Sequence, residues 1–179
     1  MQTENNMTGA EFLSDLNVLL STNVGLNKNV KQALRRLGEH ERADQVYIVS
    51  INHDMTFTIS EEWTKNGESV FPETDEKRSF YYDRKLEREL ERDNYIYIRD
   101  VNEVTNEGLK NIMHAMQVRC AIFLPLYISS HLFSFLCLSR CHDEEPWTKE
   151  EIDFLIQVAS VLSGALEKEL ILRKLVKHH

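Results

Sequence analysis

The segment from Arg119 to Leu172 constrains the fold more than any other part of the chain. It reads CAIFLPLYI, then a short polar turn SSH, then HLFSFLCL, and after these a helix that starts near Thr148. Two apolar, β-rich runs joined by so short a turn pair as an antiparallel hairpin. Pro125 interrupts the first run, which predicts an edge, a bulge or an unpaired position there. Thr148 and Glu151 have the spacing of a capping box, with Trp147 and Ile152 placed as a hydrophobic staple. A helix running from there to residue 177 would be about 45 Å long, more than a small domain is wide. Ile152, Leu155, Ala159, Leu162 and Leu166 can pack on the sheet. Leu170, Ile171, Leu172, Leu175 and Val176 come where the domain has run out, and apolar residues there need a partner. The alternative is a frayed tail.

Upstream, Thr8 to Glu11 form another capping box and predict a helix over 11–21, with Phe12, Leu16 and Leu19 or Leu20 on one face. Asn27 is placed to cap a second helix, about 28–43, carrying Val30, Ala33, Leu34 and Leu37. QVYIVSI (45–51), the turn NHDM and FTISEEW (57–63) predict a first hairpin. Residues 64–78 read as a long connection. A charged helix fits 79–93, with Phe80, Leu86 and Leu90 as its sparse apolar positions. NYIYIRDV (94–101) reads as a short strand. A second amphipathic helix fits 105–117, with Leu109, Ile112, Met113 and Met116 on one stripe. Hairpins near both ends predict an α+β fold around a central, largely antiparallel sheet of five to six strands. The terminal helices would cover one face and the middle segment the other. The division expected is a tail (1–10), one domain (11–168) and a projecting helix end (169–179).

Charge narrows the function. With 29 acids against 21 bases, the net charge is −8. A duplex nucleic-acid binder shows a basic face, and an acidic sum disfavours anionic membrane, so neither nucleic acid nor membrane contact is expected. No run reaches the roughly 18 apolar residues of a membrane span. The N-terminus lacks a basic-then-apolar signal pattern, and three cysteines in or beside strand-like segments suit a reduced, cytoplasmic setting. His178 and His179 are compatible with the start of a purification tag, and no function is read from them.

These residues together resemble a GAF domain of the type found in bacterial sensor histidine kinases and related signalling proteins. The resemblance spans about Leu16 to Lys168. It rests on QVYIVSINHDMTFTISEEW with Trp63 ending the second strand, on YIYIRDVNEV with Asp100 and Val101, on VRCAIFLPLYISSHLFSFLCLSR, and on WTKEEIDFLIQVASVLSGALEK with Trp147 to Glu151 opening the last helix. The family often has glycine in the turn and second strand of the last hairpin, where this chain has Ser129, Ser130, His131 and Ser134. The resemblance implies a non-catalytic sensing and dimerisation module with an unknown small-molecule ligand. It also implies an output domain elsewhere in the same protein, reached through the last helix. The apolar residues of that helix past the domain edge themselves predict a parallel homodimer, in which Leu166, Leu170, Ile171 and Leu175, together with the 11–21 helix, meet their symmetry mates. The resemblance further implies a pocket between the sheet and the middle segment.

Trp63, Phe71, Tyr81, Tyr82, Tyr95, Tyr97 and Met113 are the candidates for that pocket, with Arg84 as a cation for an anionic ligand. Aromatics with polar tips suit such a site, although the same residues can form a second core. Arg99 and Arg119 are further possible anion partners, against the commoner fate of surface ion pairs. The run DRKLERELERD reads as a solvated helix face. Cys137, Cys141 and His142 do not have zinc spacing, and no metal or cofactor is expected. The Cys141–His142 pair resembles the one that attaches bilins in photoreceptor GAF domains, but there it lies in a helix before the last strand. Free methionine-R-sulfoxide reductases share the fold and need an attacking and a resolving cysteine before the Leu-Pro-Leu strand. This chain has no cysteine before Cys120. No catalytic residue is assigned, and a ligand-free dimerisation module stands as the alternative.

Overall fold

The computed structural model describes residues 7–22, 25–69, 79–81, 84–140 and 146–177. Helices α1 (Gly9–Ser21) and α2 (Leu26–His40) lead into strands β1 (Gln45–Ile51) and β2 (Thr56–Thr64). Strand β3 (Ser79–Tyr81) and helix α3 (Arg84–Asp93) follow, then β4 (Ile96–Ile98), a 3-10 turn (Val101–Glu103) and α4 (Glu107–Ala115). The chain closes with β5 (Ala121–Ile128), β6 (His131–Ser139) and α5 (Lys149–Lys177). The six strands form one sheet in the order β3-β2-β1-β6-β5-β4, with every neighbouring pair antiparallel. The α+β sheet expected from the two hairpins is therefore present.

Both capping boxes form. Thr8 accepts from the Glu11 amide at 3.2 Å while Glu11 accepts from the Thr8 amide at 3.3 Å. Thr148 and Glu151 repeat the exchange at 3.2 and 3.5 Å. Trp147 and Ile152 are both buried beside that box, as a staple requires. Thr8 caps a helix that begins at Gly9, so ordered structure starts inside the stretch expected as a tail. Two local expectations fail. Asn27 lies inside the first turn of α2, whose cap is Gly25 at φ 113° with no side-chain bond. The stretch 79–93 is not one helix: Ser79–Tyr81 pairs with Thr56–Thr58 on the β2 edge, and the helix starts at Arg84. A Ser-Phe-Tyr triplet fits a strand where a sheet edge is available to pair with it.

The sheet is covered on both faces, which explains why β5 is apolar at nearly every position. One core joins α1, α2 and α5 to Val46, Ile48, Ile122, Leu124, Leu136 and Leu138. The other joins α3 and α4 to Tyr47, Val49, Phe57, Ile59, Phe123, Phe135 and Cys137. Pro125 faces Phe135 of β6 on one side, and on the other it lies beyond the Ile96↔Phe123 pair where β4 ends. Its missing N–H therefore breaks no ladder. Ser129 (φ 49°) and Ser130 (φ 65°) make the two-residue turn, with both in the left-handed region that primed hairpin turns demand.

Candidate functional site

The candidate aromatic residues whose side chains are described, Trp63, Tyr95 and Tyr97, lie on the terminal-helix face of the sheet and not on the α3–α4 face. Between β1 and β2 the register shifts, so that Val49 faces Ile59 but Ile48 faces Glu61, leaving Ser60 as an extra residue. Strict alternation from Phe57 and Ile59 would carry Trp63 to the α3–α4 face. The bulge turns it instead to the terminal-helix face, against α2. There the ring lies so close to Gly38 that a Cβ would stand 2.2 Å from it. Only glycine at position 38 permits this approach.

Tyr95 and Tyr97 also pack toward the terminal-helix core, while Ile96 and Ile98 face α3 and α4. Tyr97 accepts from the Trp147 amide at 3.1 Å, and the two rings meet edge-on at 5.8 Å. Burial pushes the Tyr97 hydroxyl up, and the hydrogen bond from Trp147 partly offsets this. Tyr97 thus helps join β4 to the start of α5. Met113 does lie on the α3–α4 face, where it is fully buried. Arg84 is exposed at the start of α3, and Arg119 is exposed before β5. Phe71 and Tyr82 lie outside the described residues, and Tyr81 ends strand β3.

The α3–α4 face is filled where the resemblance implies a pocket. Phe57, Phe123 and Phe135 form a chain of edge-to-face contacts at 5.0 and 5.4 Å. Ile112, Met113 and Met116 close over them at 0% exposure. The open space lies beside this core, at the β4 edge. A cavity of about 370 Å³ runs between α3, β4, the 3-10 turn and the start of α4. Its apolar floor is Ile96, Ile98, Val104 and Leu109, and Lys85, Glu89, Arg99 and Glu103 stand around it. Its volume lies within the usual span for small-molecule sites. Asp100 caps the 3-10 turn through the Asn102 amide, and Asn106 caps α4 through the Leu109 amide, both at 3.0 Å. Arg99 lies over the Tyr97 ring at 5.8 Å. Cations and carboxylates are interspersed, so the rim selects neither sign. Of the pocket candidates among the described residues, Tyr97 borders this cavity. The isoleucines were legible as strand residues, but their outward alternation with the tyrosines points each pair to a different face.

The cysteine chemistry is equally divided. Cys120 packs toward the terminal-helix core and Cys137 lies in the opposite core, so the sheet separates them. Among the described residues no group of acidic, histidine and cysteine side chains could hold a metal ion.

The GAF domain family profile matches residues 26–166, from the first residue of α2 into the middle of α5. The chain belongs to the GAF domain family. Its backbone matches the GAF domain of the phosphoenolpyruvate-protein phosphotransferase from Acinetobacter with a TM-score of 0.70 at 11% identity, over 94% of this chain and 99% of that one. The blue-light absorbing form of the PixJ GAF domain from Thermosynechococcus elongatus matches with a TM-score of 0.67 at 19% identity, over 93% and 94%. A phycoerythrobilin-bound GAF domain from a cyanobacterial phytochrome matches with a TM-score of 0.70 at 13% identity, over 96% and 98%. At these identities the likeness is one of fold. No curated protein sequence matches the chain. Helix α1 and residues 167–177 of α5 lie outside the matched GAF region. No helix among the described residues is long and apolar enough to cross a membrane.

Proposed function

We propose that this GAF domain is a non-catalytic sensing and dimerisation module of a cytoplasmic bacterial signalling protein, with a histidine kinase or cyclic-dinucleotide enzyme as its output. Its α5 helix passes the state of the domain onward. The observation that carries this reading is the exposed apolar end of α5. Ile171, Leu172, Leu175 and Val176 are 48–77% exposed, beyond the last residue that the GAF family profile matches. Leu170 is 37% exposed, whereas Leu166 is packed against its own domain and contributes to the core instead. Helix α1 runs beside α5 in the same direction, with Gly9 near Phe154 and Leu20 lining a groove with Lys168. Its Val18 is 65% exposed. A parallel homodimer would bury both helix ends against their symmetry mates.

Two ties make α5 responsive to the sheet. The Tyr127 amide, freed by the register shift at Leu126, donates to Ser163 Oγ at 3.1 Å. The Ser129 amide donates to Glu167 Oε1 at 3.1 Å. The tip of the last hairpin is thus fastened to α5 just before the helix leaves the domain.

Light scattering tests the relay. The intact chain is expected to be dimeric, and the double variant Leu170→Glu/Leu175→Glu monomeric with unchanged circular dichroism. A monomeric parent at high concentration would sink the reading. For the ligand, the β4-edge cavity is one described space of small-molecule size, on the sheet face where the resemblance implies a pocket. A ligand present at 100 times its Kd should add about 2.7 kcal/mol of stability in a thermal-shift screen of nucleotides, amino acids and small aromatic acids. A dimer that no compound stabilises would leave the ligand-free dimerisation module as the better reading. Bilin attachment is not part of the proposal, because neither α3 nor α4 contains a cysteine.

A further inference from the structure

His40 ends α2 at the point where three helices meet. Its ring lies 4.7 Å from Phe12 of α1 and 5.2 Å from Phe154 of α5, and those two rings touch edge-on at 5.5 Å. The backbone of α1 comes in so close here that a Cβ on Gly9 would stand 3.1 Å from the Phe154 ring. Both imidazole nitrogens face acceptors. Nε2 is 3.2 Å from the carbonyl oxygen of Met7, just before the α1 cap, and Nδ1 is 3.7 Å from Glu41 Oε1. The second distance is that of an ion pair rather than a hydrogen bond. A neutral imidazole has one N–H and can serve only one of these acceptors, whereas the imidazolium serves both.

We propose that His40 is a proton-operated latch that sets how firmly the start of α1 is held against α2 and α5. In the charged form the ring donates to Met7 and faces the Glu41 carboxylate, so α1 is tied to the end of α2. Glu41 Oε2 is in turn bound by Arg140, which also holds Glu151 in the first turn of α5. One side-chain chain therefore runs from the lead-in of α1 through α2 to the start of α5. Loss of the proton leaves the ring one N–H for two acceptors, so the chain breaks on one side of the ring.

The charged groups around the ring come from every element packed there. Asp15 of α1 and Arg35, Arg36 and Glu39 of α2 border the adjoining cavity of about 520 Å³. Glu41 follows α2, Arg140 follows β6, and Glu151 belongs to α5. The Glu41 carboxylate raises the imidazole above its ordinary range, with smaller contributions from the Met7 carbonyl and Glu151, and partial burial opposes them. A histidine whose pKa is higher folded than unfolded stabilises the fold fully below the unfolded value, about 6.5, and loses that contribution as pH rises through the folded value. The latch therefore closes on the acid side and opens as pH climbs from about 6.5.

The test compares the parent with His40→Gln, which keeps a neutral donor for Met7 but cannot titrate. The ratio of their folding equilibrium constants, from denaturant titrations, is expected to fall by about twofold or more between pH 6 and pH 8.5, because only the parent carries the raised imidazole. Proton NMR should place the His40 titration above 6.5. Amides in the first turns of α1 should lose protection across the same interval in the parent alone, after correction for intrinsic exchange. A constant ratio, or a titration at or below 6.5, would overturn the latch. Its effect on signalling rests on the relay proposed above, but these readings are internal to one chain, so a failed dimer and a failed latch are told apart.

Discussion

Replacing Arg140 with alanine is expected to cost the fold about 3–5 kcal/mol, because it strands a buried carboxylate. Arg140 is 5% exposed and Glu41 4%. The guanidinium donates to Glu41 Oε2 at 3.2 Å, to the Glu41 carbonyl oxygen at 2.8 and 3.1 Å, and to Glu151 Oε2 at 2.7 Å. Its other face covers the Trp147 ring at 4.3 Å. A lysine cannot reproduce this planar fork, so Arg140→Lys should recover only part of the loss. The double variant Arg140→Met/Glu41→Met should also be milder than Arg140→Ala, since no charge remains buried alone. It cannot reach the parent, because the Glu41 carbonyl loses its guanidinium donors. Burial pushes the Glu151 carboxyl up, but the hydrogen bond and charge of Arg140 outweigh it and hold the group below its ordinary range. That contribution is present above the usual carboxylate range and is lost as pH falls through the depressed value. Chemical denaturation at pH 7 checks the first claim. A loss under about 1 kcal/mol would mean that the pair behaves as a solvated surface bridge.

Phe135→Ala is expected to cost a similar amount, about 3–5 kcal/mol. Phe135 is fully buried and meets Phe57 at 5.0 Å and Phe123 at 5.4 Å. Its removal opens a hole at the centre of the α3–α4 core, whose surroundings are held by the sheet register. The size of the loss separates two uses of this face. A packed core pays both the transfer and the cavity terms, whereas a ligand pocket would show a change in affinity with little change in stability. Denaturant midpoints with an unchanged slope would establish the core. A change under about 1 kcal/mol would point to a pocket there.

Much of the fold was legible because its signals are local. Thr8 with Glu11 and Thr148 with Glu151 are short-range hydrogen-bonding patterns, and both appear as the spacing predicts. The hairpin around Ser129 and Ser130 follows from two apolar runs and a turn too short for anything else. Leu109, Ile112, Met113 and Met116 occupy one buried stripe of α4 because helical period alone groups them. The candidate site was less legible. Its aromatic residues are close in sequence to the middle segment, but closeness does not say which face of a strand a ring occupies. A strand start at Ser79 in place of a helix had the same origin, since the pairing edge belongs to β2.

The sequence by itself determined where the helices and strands lie, β3 excepted, the hairpin order and the excess length of α5, because caps, turns and periodicity act over a few residues. Only the tertiary structure decided that one extra residue at Ser60 turns Trp63 away from the α3–α4 face. Nor could local pattern bring Glu41, Arg140 and Glu151 together, or seat His40 between Phe12 and Phe154. The longest of those contacts join residues about a hundred positions apart or more. They exist because the register of the sheet and the packing of three helices on it set their places, and neither is written in any one segment.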